Sequence, residues 1–115
     1  MFRGKIISDS MSPVLKVGQE VEIVPVLDFS QLKRFDIIVF KLGQDICAHF
    51  IWTKQNDLRT GNEVLITRSL KNPNNNDYPL YSDKIVGKIL NHSIPQYWRI
   101  IIWIKICLGV FLGFK

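Results

Sequence analysis

A period-two alternation of apolar and polar residues dominates the middle of the chain. In "QEVEIVPV" (19–26) Val21 and Ile23 mark one side, with Pro25 continuing it. "DIIVFKL" (36–42) is β-branched and apolar almost throughout, as a strand covered on both faces would be. "DICAHFIWT" (45–53), "EVLITRSL" (63–70) and "DKIVGKIL" (83–90) repeat the strand signal. Turn formers separate them at Gly18, Asp28-Phe29-Ser30, Gly43-Gln44-Asp45, Asn56-Asp57 and Thr60-Gly61-Asn62. "DFSQLKRF" (28–35) fits one helical turn capped by Ser30, and "NPNNND" (72–77) reads as a polar loop. Five or so short, closely spaced strands predict a mainly β domain, a small curled antiparallel sheet or barrel over residues 1–95.

The pattern changes after Pro95. "YWRIIIWIKICLGVFLGFK" (97–115) is apolar with no period of two, and predicts a helix over a second segment, 96–115. The run from Ile100 to Phe114 spans roughly 22 Å as a helix, short of a ~30 Å hydrocarbon core. Charge sharpens the reading. Up to Asp83 ten basic residues balance the ten acids, so the net +5 belongs to Lys84, Lys88, Arg99, Lys105 and Lys115. Basic residues among Trp and long aliphatics suit a lipid surface, and they are too few for a nucleic-acid face. The first reading is therefore a helix lying in or dipping into the membrane interface through residues 97–115 and not needed for the core. A core or partner-packing helix is the second, and a span the third. The expected location is membrane-associated, with the side of the membrane open. The first residues do not resemble a secretory leader, because polar turn residues arrive by Ser8.

The chemistry rests on few residues. Cys47 and Cys107 have no metal-type spacing and read as reduced structural thiols. With His49 and His92 they form no ligand set, so neither metal nor cofactor is expected. His49 is the one histidine inside a strand; it shares a face with Cys47 and Ile51, opposite Ala48 and Phe50. A lone strand histidine is usually structural. Its weight rises because Ser10-Met11-Ser12-Pro13 precedes it and Asp77-Tyr78-Pro79 follows it. A serine hydroxyl needs a neighbouring base to become a nucleophile, and an imidazole near neutrality can take that proton and return it. Asp36 reads as a turn cap or ion-pair partner, Asp9 as a turn residue, and Arg68 as a solvated or ion-paired surface residue.

In order along the chain, these motifs resemble the serine peptidases that include type I signal peptidases and the SOS-repressor autoproteases. The matching residues are Ser10-Met11-x-Pro13, Leu15 and Gly18, and Phe35-Asp36-Ile37-Ile38-Val39-Phe40 (Gly-Asp-Ile-Val-Val-Phe in the family). The strand with His49, Thr67-Arg68, Asp77-x-Pro79 and Ile85-Val86-Gly87-Lys88 follow. The likeness runs from about Ile6 to Leu90. Histidine rather than lysine as the base is the pattern of the endoplasmic-reticulum, archaeal and sporulation-type enzymes. The resemblance implies Ser10 as nucleophile, His49 as general base and Asp77, or else Asp83, as the orienting acid. It implies an oxyanion site at the Ser10 N–H with Ser8, and Met11 beside a pocket for small side chains. The implied substrate is a secreted or membrane-targeted precursor peptide. Four positions depart from the family pattern: Phe35 for glycine, Gln19 for aspartate, Phe50 for arginine, and Ser69-Leu70 for Gly-Asp. Only nine residues precede Ser10, too few for the N-terminal membrane helix of typical signal peptidases, and the apolar tail would replace it. The alternative reading is a catalytically silent β module that binds a peptide strand by edge pairing. A repressor-type autoprotease would need a DNA-binding domain and linker for which this sequence has no room.

Overall fold

The computed structural model describes residues 2–26, 28–43 and 45–112. Gln44 of the expected turn and residues 113–115 of the expected anchor lie outside them. Six strands form one antiparallel sheet: β1 (Phe2–Lys5), β2 (Glu20–Val24), β3 (Ile37–Leu42), β4 (Asp45–Asn56), β5 (Glu63–Arg68) and β6 (Ile85–Ile89). Their order across the sheet is β1-β2-β6-β3-β4-β5, so β6 returns from the end of the β region to lie between β2 and β3. The sheet is open, with β1 and β5 at its edges; the barrel alternative does not form. Helix α1 (Gln96–Leu112) follows the sheet.

The strand periodicity divides the interior in two. Along β3, Ile37 and Val39 enter one cluster, while Ile38 and Phe40 enter another. The same split continues into β4, where Phe50 belongs to the first cluster and Ile51 to the second. The first layer lies under the turn carrying Met11 and Leu15, and under Ile94 and Ile102. The second lies under Phe29, Leu32 and Leu80. Two central strands covered on both faces account for the near-continuous apolar run of "DIIVF".

Gly87 permits the crossing of β2 and β6. A Cβ there would stand 2.5 Å from the Val24 carbonyl oxygen and 2.7 Å from the Ile23 Cγ2, so no side chain fits. Phe35, where the resembled family has glycine, adopts φ +73°, a conformation costly for a side chain-bearing residue. Its ring is buried and stacks on Phe50 at 5.8 Å between centroids, with Trp52 edge-on at 6.1 Å. The Phe50 ring thus supplies packing that holds Phe35 in place.

Three expectations are corrected. The short turn over Phe29–Gln31 is a 3-10 turn capped by Asp28, whose carboxylate accepts the Ser30 N–H, so Ser30 sits inside the turn. Strand β1 was not expected. Helix α1 is not detached from the core: Ile102 is 1% exposed, and Trp98 and Ile106 pack against the same cluster. Its opposite side remains apolar and uncovered, with Tyr97, Ile100 and Ile104 all more than half exposed. Among the described residues no helix is long and apolar enough to cross a membrane.

Candidate functional site

Ser10 lies in the turn after β1, stitched by hydrogen bonds from Ser12 N–H to the Asp9 carbonyl (3.0 Å) and from Leu15 N–H to the Met11 carbonyl (2.9 Å). Its own carbonyl accepts the N–H groups of Leu70 (3.0 Å) and Lys71 (3.3 Å). Lys71 Nζ also pairs with the Asp9 carboxylate at 2.6 Å. Leu70 is buried in the first core layer while its N–H fixes Ser10. Gln19 accepts the Lys16 N–H at 2.9 Å and its amide meets the His92 ring, bracing the end of the same loop.

His49 sits in β4 opposite Ile38 of β3, with its ring edge-on to Phe40 at 5.6 Å. Its Nδ1 lies 2.6 Å from the Asp77 Oδ2, and the Thr67 hydroxyl donates to that same oxygen at 2.8 Å. The Asp77 N–H returns to the Thr67 carbonyl at 2.9 Å, which closes the loop onto the end of β5. Partial burial pushes the Asp77 carboxyl up, but hydrogen bonds from His49 and Thr67, aided by the positive charge of Arg68, outweigh it. The group is held below the usual carboxylate range. An ionised carboxylate only accepts hydrogen bonds, so Nδ1 must carry the proton and Nε2 is the basic nitrogen. Asp83, the alternative acid, stands exposed in the short turn before β6 and makes no such contact.

Ser8, Ser10, Met11, Ala48, His49 and Val86 line one cleft of about 610 Å³. The sequence-predicted serine and histidine therefore share a cavity, with no direct hydrogen bond between them. The Ser8 hydroxyl accepts the Ser10 N–H at 3.3 Å, so the donor expected to face an oxyanion is engaged internally. A second hollow, of about 810 Å³, opens around Phe29, Asn62 and Tyr81; Asp83 lines it, and Ser10, His49 and Asp77 do not.

Thr67 and Arg68 were legible only as a motif. Thr67 is fully buried and touches the acid directly. Arg68, expected at the surface, is 9% exposed, with its guanidinium over the Trp52 ring at 4.4 Å. Asp36 is as expected, accepting the Lys33 N–H at 2.9 Å and pairing with Lys88 at 3.2 Å. No family model matches the chain, and no curated protein or solved structure is significantly similar to it.

Proposed function

We propose that this chain is a serine endopeptidase of the signal-peptidase-like type, acting on an extended precursor peptide at a membrane surface. The observation that carries the proposal is the 2.6 Å His49–Asp77 contact beside a cleft that also holds Ser10. In the proposed reaction Ser10 Oγ attacks the scissile carbonyl while His49 Nε2 takes its proton. The imidazolium formed is stabilised by Asp77 and gives the proton to the leaving amine; water then hydrolyses the acyl-enzyme by the same route in reverse. The Ser10 N–H and the Ser8 hydroxyl would hold the oxyanion, once that hydroxyl turns from accepting to donating. Met11, Ala48 and Val86 give the cleft an apolar lining suited to small side chains. The uncovered face of α1, with Tyr97, Ile100 and Ile104 near Lys105, suits a lipid surface.

Two observations favour the silent peptide-binding alternative: the Ser10 N–H is occupied by Ser8, and Ser10 makes no hydrogen bond to His49. A serine-directed acylating probe, with the adduct located by mass spectrometry, separates the two. The peptidase reading expects an adduct on Ser10 that His49→Ala reduces at least 100-fold, in the range by which general bases act. No adduct on Ser10, together with retained binding of an extended peptide, would establish the silent module instead.

A further inference from the structure

Asp77 lies in a stretch, 69–79, with no helix or strand of its own. A loop of that kind has no intrinsic reason to hold a carboxylate within hydrogen-bond reach of one imidazole nitrogen, yet a triad acid needs that seat to within a fraction of an ångström. The alternation of β5 supplies one. Thr67 and Arg68 are neighbours on a strand, so their side chains leave opposite faces. Thr67 meets the Asp77 carboxylate; Arg68 takes the loop from the other side. Its Nε donates to the Asn76 Oδ1 at 2.7 Å, and its Nη1 donates to the Pro73 carbonyl at 2.8 Å.

A guanidinium this far from water is expensive unless its donors and charge are satisfied. Here no carboxylate forms an ion pair with it among the described residues. Its donors go to the loop and its face to Trp52, which in turn meets Trp103 of helix α1 at 4.9 Å between centroids. Asn74 of the same loop donates to the Lys105 carbonyl at 3.4 Å, a second tie to that helix.

We propose that Arg68 is a positioning residue that seats Asp77 against His49, with its fork on the loop and its face on Trp52, which Trp103 contacts in turn. The assignment of a catalytic purpose rests on the peptidase reading; the seat itself does not. Arginine suits the task because its planar fork donates in two fixed directions while its face stacks on an indole, and lysine does neither.

The test uses the full chain with Arg68→Met, Arg68→Lys, Asn76→Ala and Asp77→Asn variants. The first readout is the downfield NMR resonance of the His49 Nδ1 proton, a signature of its bond to a carboxylate. The second is the rate of Ser10 modification by a serine-directed acylating probe. Arg68→Met should lose the resonance as Asp77→Asn does, and label about 10²-fold more slowly, the scale of an ångström-level misplacement. Arg68→Lys should recover less than a tenth of the lost rate. Asn76→Ala, at an exposed loop residue, removes one acceptor without disturbing the core; it should broaden the resonance and slow labelling severalfold. That variant decides the matter should Arg68→Met fail to fold. Retention of the resonance and of the labelling rate within twofold in the folded Arg68→Met, or in Asn76→Ala if it alone folds, overturns the proposal. An unlabelled wild type whose His49 resonance still depends on Arg68 would overturn the peptidase reading and leave the seat standing.

Discussion

Replacing Ile102 by alanine asks whether the C-terminal helix belongs to the folded domain. Ile102 is 1% exposed, and its loss removes three side-chain carbons from the core layer it shares with Phe35, Phe50 and Ile94. At about 0.8 kcal/mol per buried methylene the transfer contribution is about 2.4 kcal/mol. The cavity left behind raises the cost to about 3–4 kcal/mol, within the range for buried isoleucine. Ile104, two residues on and 52% exposed, is the internal control. Half the transfer contribution, reduced by the better helix propensity of alanine, leaves a cost of about 1 kcal/mol or less. Urea unfolding followed by tryptophan fluorescence suits the measurement, because Trp103 reports from the helix and Trp52 from the sheet. With a slope of about 1.5 kcal/mol per molar urea, Ile102→Ala should lower the midpoint by about 2 M and Ile104→Ala by less than about 0.7 M. Far-UV circular dichroism should give coincident curves if helix and sheet unfold together. Equal shifts for the two variants, or a cost under about 1 kcal/mol at Ile102, would refute the docking of α1.

Asp77→Asn should keep the fold but lower turnover of a peptide substrate by about 10³–10⁴-fold, while Asp83→Asn leaves it unchanged; steady-state kinetics on the three proteins check this. Because the folded state holds the Asp77 carboxyl below its ordinary value of 3.8, its contribution to stability is present above that value and lost as the pH falls through the lowered one. The stability gap between wild type and Asp77→Asn, measured by urea unfolding, should therefore hold at about pH 5 and close on further acidification. Gly87→Ala should cost at least about 2 kcal/mol and shift the thermal midpoint accordingly, since its Cβ would collide with the Val24 carbonyl. Ile100→Ser with Ile104→Ser should abolish sedimentation with anionic vesicles at a stability cost of about 2 kcal/mol for two half-exposed isoleucines; retained sedimentation by the folded variant would assign lipid contact elsewhere.

The strands most legible in the sequence were those whose periodicity or apolar density was set by burial. β3 is apolar on both faces because both faces are covered, and β4 sends Phe50 into one layer and Ile51 into the other as period two requires. β1 escaped notice because "FRGK" is four residues with a glycine and two charges; its pairing with β2 makes it a strand, not its own pattern. The tail is legible as a helix, but its packing on the core stands only second among the readings its sequence allows. Apolar residues on every side cannot tell composition which side meets protein and which does not. Of the site, Ser10, His49 and Asp77 could be named because each occupies a motif of the resembled family. Arg68 could not, since its role follows from the tryptophans behind it and the loop in front, which lie far apart along the chain. The φ of +73° at Phe35 was equally hidden, being sustained by a stack with Phe50 fifteen positions away.

The placement of β6 between β2 and β3 bears on when the site comes into being. β3 and β4 form a local hairpin, and β4 and β5 another, but β2 and β3 are joined only through a strand that starts at Ile85. Ser10 is likewise fixed through Leu70 and Lys71, sixty residues further on. Contacts of such sequence separation are closed after local hairpins, because loop entropy must be overcome first. During synthesis the proposed nucleophile emerges before the acid proposed for it and before the strand that locks the sheet. A nascent or half-folded chain therefore carries the serine without its machinery, and hydrolytic capacity would arrive only with completion of the sheet.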